Sequence, residues 1–158
     1  MVMGIKRLIV LLGTFVASAA VLSAVEKGDT LKLMTYNLRF GELASMEQIA
    51  GYISSQLPDI VALQECDWAT NRTRAPHQNG VKFVNELAYH TGMFGVYGKS
   101  INYAGGYYGI GLLSRYPILR YERVLLPNDG KTEQRSMLIA DIELRQYSSG
   151  SQDFSNAC

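Results

Sequence analysis

One strand–helix–strand signature limits what this chain can fold into. Leu31 to Asn37 alternates, with Leu31, Leu33 and Thr35 on one face and Met34 and Tyr36 on the other, the two-residue period of a strand. Ser45 and Gln48 make a capping box, and Met46, Ile49, Ala50, Ile53 and Leu57 then recur at helical spacing until Pro58 stops the helix. Asp59 to Leu63 carries the apolar run Ile60-Val61-Ala62-Leu63, which suits a strand covered on both faces. Strand, helix and strand in this order form a βαβ unit, so the two strands are parallel neighbours joined by a right-handed crossover. Their carboxyl ends then face one side of the sheet, where open α/β sheets bind their ligands.

Those ends deliver Asn37 and Glu65. A carboxylate just past a buried strand is well placed for a pocket rim, and one or two carboxylates with substrate phosphate oxygens suffice for Mg²⁺. An Asn amide can coordinate through oxygen or donate to phosphate. Each residue also has a plain reading: Asn37 as a turn former, Glu65 as a partner for a loop amide or for Arg72.

The pattern changes downstream. Cys66 to Gln78 reads as a polar loop, and Asn79 as the cap of a second helix with Val81, Val84, Leu87 and Ala88 inward and Gly92 as its stop. Phe94 to Tyr97, Tyr107 to Ser114, Ile118 to Leu126 and Gln134 to Leu144 read as strands. Turn signals at Gly105-Gly106, Arg115-Tyr116-Pro117 and Pro127 to Gly130 separate them. Short links of this kind predict antiparallel neighbours. Tyr107 and Tyr108 are candidates for stacking on a base or sugar, and Arg72 and Arg74 for phosphate contact.

Four motifs in this order, TYNLRFG, LQECDW, GGYYGIGLLSRYPI and EQRSMLIADI, resemble the endonuclease/exonuclease/phosphatase superfamily, over roughly Leu31 to Leu144. The resemblance implies a DNase I-like four-layer α/β sandwich, here its N-terminal part and hence incomplete. It implies metal-dependent hydrolysis of a phosphoester with Mg²⁺ or Mn²⁺. Glu65 matches the family's metal-binding Glu, Asn37 the Asn that closes the first strand and helps hold metal or phosphate, and Arg135 an Arg supporting the site. Gly111 to Arg115 matches a packing element beside it. The family's later motifs, a Thr-His-Leu strand end, a Gly-Asp-x-Asn and a closing Asp-His pair, do not occur. His77 and His90 match none of them, and Asp153-Phe154-Ser155-Asn156 is only a look-alike.

The bulk properties agree with a single globular domain. The chain has 158 residues, 47% apolar and 18% charged, with a formal net charge of +1. Lys6 and Arg7 precede an uncharged apolar run from Leu8 to Val16, followed by Ala17-Ser18-Ala19, the layout of a secretory signal peptide over residues 1–24. An uncleaved anchor is the alternative, since no charge occurs between Arg7 and Glu26. Loss of Lys6 and Arg7 takes the charge from +1 to −1, so stable nucleic-acid binding is not expected. No protein partner is implied. Residues 25–30 read as a linker and 31–158 as the phosphoesterase part. Cys66 and Cys158 read as independent thiols.

The expectation is an exported, metal-dependent phosphoester hydrolase, truncated and weakly active or inactive as it stands, with uncovered apolar sheet surface. The competing reading is a non-catalytic exported fragment or binding module. The substrate, whether nucleic acid, sphingolipid, inositol or sugar phosphate, is open.

Overall fold

In the computed structural model the described residues run from Thr30 to Leu144. Residues 1–24, expected as a leader, the first residues of the expected linker, Cys158 and the Asp153 to Asn156 look-alike lie outside them. Contacts divide the chain between Leu31 and Lys32, and every described helix and strand belongs to the second unit.

The βαβ unit is present. Strand β1 (Leu33–Asn37) leads through a short turn to helix α1 (Met46–Gln56) and on to strand β2 (Ile60–Trp68), and β1 and β2 pair in parallel. Ser45 and Gln48 cap α1 reciprocally, side chain to backbone in both directions. Leu57, which helical spacing places on the buried face, instead closes the helix in the left-handed conformation, 67% exposed. Helix α2 (Phe83–Thr91) ends at left-handed Gly92 as expected. It starts later than Asn79, because Lys82 bridges to Trp68 and Val81 accepts from the Ala69 N–H. That pairing keeps the backbone extended up to the helix, and Asn79 instead closes a 3₁₀ turn over Pro76–Gln78.

Strands β3 (Phe94–Tyr103) and β4 (Gly106–Ser114) form a hairpin, and β4 inserts beside β2, giving the sheet order β1-β2-β4-β3. Strands β5 (Ile118–Leu125) and β6 (Ser136–Ile142) pair with each other as a separate sheet. The turn at Arg115-Tyr116-Pro117 therefore carries the chain from one sheet to the next, and not to an antiparallel neighbour.

Both helices cover one face of the larger sheet. Ile49, Ile53, Val84 and Leu87 pack there on Val61, Leu63, Cys66 and Leu113. The β5–β6 sheet covers part of the opposite face, where Leu138 lies against Gly98. Three layers of the DNase I-like sandwich are thus present among the described residues. The run Ile60 to Leu63 is sealed on the helix side only: Val61 and Leu63 are buried but Ala62 is exposed, and Leu33 on the same open face of β1 is 69% exposed. Among the described residues no helix is long and apolar enough to cross a membrane.

Candidate functional site

Strict alternation along β2 would put Glu65 on the same side as Val61 and Leu63, inside the helix-facing core. It does not lie there. Leu63 pairs with Gly111 and Cys66 with Gly109, so Gln64 and Glu65 together oppose the single residue Ile110. This is a β-bulge, which inserts one residue and re-aims the side chains around it. Glu65 takes a left-handed backbone with φ 56°, an uncommon and costly conformation for a residue with a Cβ. Cys66 assumes the core position in its place and is fully buried. The apolar run predicts a strand that stops near Leu63; the strand continues through the bulge to Trp68.

Released from the core side, Glu65 meets Asn37. The Asn37 amide Nδ2 donates to Glu65 Oε1 at 2.8 Å, and Asn37 Oδ1 accepts from the Arg39 backbone N–H at 2.8 Å. The two contacts fix the amide's orientation, since a flipped amide would set oxygen against carboxylate. Arg39 and Phe40 in the turn below both have positive φ, 47° and 45°. Gln64 braces the next position, donating to Thr35 Oγ1 at 3.0 Å.

The pair opens on a cavity of about 270 Å³ lined by Asn37, Gln64, Glu65, Ser100, Tyr108, Gly109, Ile110, Arg135 and Ser136. Arg135 is thus on the wall, ion-paired with Glu133 at 3.0 Å. Ser100 and Ser136 share a hydrogen bond of 2.6 Å between their hydroxyls. Tyr108 holds its phenolic proton strongly: burial and the Glu65 charge push its pKa up to about 12.

Behind this wall lies a buried ion pair that sequence reasoning missed. Asp67, 1% exposed, takes two hydrogen bonds from Arg72, through Nε and, at 3.0 Å, Nη2, and a third from Thr70 at 2.6 Å. Phe40 and Tyr103 lie 4.3 and 4.2 Å from the guanidinium, and Tyr108 5.1 Å. Burial works against the Arg72 charge, but the hydrogen bonds and charge of Asp67 outweigh it and its pKa rises. Arg72 therefore pairs with Asp67 and not with Glu65. Arg74 is likewise engaged, with Glu42 at 2.7 Å. The histidines sit elsewhere: His77 Nε2 is 3.0 Å from the Gly41 carbonyl oxygen, and His90 is 3.8 Å from Glu86 on the same helix.

The donor set suits a hard cation. One carboxylate, with Oε2 unpartnered among the described residues, faces the cavity, and Mg²⁺ and Mn²⁺ favour such oxygens; the Asn37 amide beside it turns its N–H to that carboxylate and its oxygen to the Arg39 N–H. Among the described residues no three His, Cys, Asp or Glu side chains converge.

A sequence model of the Endonuclease/Exonuclease/phosphatase family matches residues 34–148. The chain belongs to this family. Two solved structures share its fold. The endonuclease/exonuclease/phosphatase from Beutenbergia cavernae DSM 12333 is 20% identical with a TM-score of 0.56, over 71% of this chain and 34% of that one. The endonuclease/exonuclease/phosphatase family protein from Leptotrichia buccalis C-1013-b is 15% identical with a TM-score of 0.54, over 72% of this chain and 49% of that one. This family member therefore spans about a third of the first protein and about half of the second. No curated protein matches it.

Proposed function

We propose that this chain carries the metal-facing half of a phosphoester hydrolase site, in an exported protein. The observation that supports it is the Asn37–Glu65 pair, held at a cavity mouth by a bulge that withdraws the carboxylate from the core. Glu65 would hold Mg²⁺ or Mn²⁺ through its open oxygen, with Asn37 keeping the carboxylate aimed. Bound there, the metal would supply Lewis-acid polarisation of a phosphoryl oxygen. Arg135 would steady the anionic substrate from the facing wall, and Tyr108, protonated at neutral pH, would offer a hydrogen-bond donor.

Hydrolysis also requires a base for the attacking water and donors for the developing oxyanion. His77 and His90, already engaged away from the cavity, supply neither. On this reading the 158-residue chain is weakly active or inactive. The same placement favours the second reading, a non-catalytic exported binding module. Its near-neutral charge goes with no stable duplex binding.

Titration with Mn²⁺ followed by a phosphodiester assay tests both readings. Mn²⁺ bound by the wild type and lost in Glu65→Gln supports the metal half. Rapid turnover by the chain would overturn the inactive assignment. Retention in the cytoplasm would count against export.

A further inference from the structure

Two bulges meet across β4. The β2 bulge at Gln64 and Glu65 lies opposite Ile110, and a second, in β3, inserts Ser100 between Lys99, paired with Gly109, and Ile101, paired with Tyr108. One irregularity aims Glu65 at the cavity. The other brings Ser100 to the same cavity from the far side, where β6 supplies Ser136. Bulges re-aim side chains at the cost of ladder pairing, and here both serve one space.

The hydroxyl pair has a definite chemistry. Only one proton can lie between the two oxygens 2.6 Å apart, so the accepting serine keeps its own O–H free. Lone pairs remain on both oxygens. The pair therefore donates and accepts at once, and either serine can take either role. An ionised phosphate only accepts, and Arg135 on the same wall already meets that need. A ligand hydroxyl both gives and takes, which matches the serine pair.

We propose that Ser100, Ser136 and Tyr108 form the recognition wall of this cavity, and that the group bound there carries hydroxyls beside its phosphate. The cavity, about 270 Å³, takes a small phosphorylated polyol or sugar and not a duplex. This inference rests on the proposed function for the position of the phosphate, next to Glu65.

The test uses the 158-residue chain, titrated calorimetrically with Mn²⁺ alone and then, in Mn²⁺, with glycerol 3-phosphate and with n-propyl phosphate. These probes match in size and phosphate group but differ in hydroxyls. The wild type is expected to bind glycerol 3-phosphate about five- to tenfold more tightly, the effect of one or two net hydrogen bonds. Ser100→Ala and Ser136→Ala, on separate strands, should each abolish most of that preference without changing Mn²⁺ or propyl phosphate affinity. Tyr108→Phe, which removes one oxygen from a packed ring, should reduce it. Equal binding of the two probes, no binding of either, or a preference that survives both serine substitutions would overturn the inference. Mn²⁺ binding without hydroxyl preference defeats this inference alone, whereas failure to bind Mn²⁺ defeats the proposed function.

Discussion

Asn37 and Glu65, 28 positions apart in sequence, are joined by a 2.8 Å hydrogen bond from amide to carboxylate. The bond exists because β1 and β2 are parallel and in register, Asn37 opposite Gln64, and because a bulge turns Glu65 away from the core immediately afterwards. Neither strand alone makes the site. The crossover sets the two ends side by side, and the irregularity aims the carboxylate.

Glu65→Gln removes the charge but keeps a group of similar size able to accept from Asn37. Mn²⁺ affinity should fall at least about tenfold, with a melting temperature nearly unchanged, because charge is what a hard cation requires. Asn37→Ala removes the tether and the acceptor for the Arg39 N–H. It should weaken Mn²⁺ binding by less, and cost about 1 kcal/mol in stability. Mn²⁺ titration and urea unfolding of both variants check this. Equal affinity in Glu65→Gln would remove the carboxylate from the site.

Arg72→Met would leave Asp67 ionised and buried with only Thr70 as a side-chain partner. Truncating one member of a buried pair is strongly destabilising, here by about 3 kcal/mol. Adding Asp67→Asn should recover part of that loss, since the two residues act as a unit. The urea midpoints of the two singles and the double give the coupling. Strict additivity would show that the pair is not a unit.

Alkaline pH should destabilise the fold in stages. Burial, helped by the charges of Asp67 and Glu65, raises the Cys66 thiol above its ordinary range, and burial likewise raises Tyr97 and Tyr108. Folded-state values above the unfolded ones mean that the native state keeps its protons longer. Their contribution is complete below the unfolded values, about 8.5 for Cys and 10 for Tyr, and is lost as pH rises beyond them. Stability measured from about pH 7 to 11 should fall first near pH 9, and Cys66→Ala should delay the onset to about pH 10. A thiol reagent at about pH 8 should label Cys66 only after unfolding.

Much of the first half was legible because its signals are local. The capping box, Pro58 and the two hydrophobic periods all depend on neighbours a few residues away, and together they define the βαβ unit. The bulge at Glu65 was not legible, because counting by twos assumes an unbroken ladder. The same blind spot hid Asp67, which looks like loop in the sequence and is a buried strand residue, and misassigned the partner of Arg72. The insertion of β4 beside β2 depends on packing: at Gly111 a Cβ would lie 2.5 Å from Val84, so the missing side chain lets α2 approach the sheet. The passage from β4 to a second sheet through Pro117 carries no local signal that distinguishes it from a hairpin.

Two glycines should respond in opposite directions to the same substitution. Gly109 sits in β4 between the two bulges, and a Cβ there would lie 2.0 Å from the Gly98 carbonyl oxygen. Both groups belong to the backbone of a packed sheet, so no side-chain rotation relieves the collision. Gly109→Ala should cost at least about 3 kcal/mol, beyond ordinary overpacking. Because the strand must shift to relieve it, Mn²⁺ affinity should fall in whatever fraction remains folded. Gly51 is exposed within α1, and a methyl group added there would meet nothing within 4 Å beyond its chain neighbours and the backbone of its own helix. Gly51→Ala should therefore stabilise the protein by about 0.5–1 kcal/mol through helix propensity alone. Unfolding of both variants against wild type decides the matter, and a tolerated Gly109→Ala would show that the two bulges do not depend on the bare backbone between them.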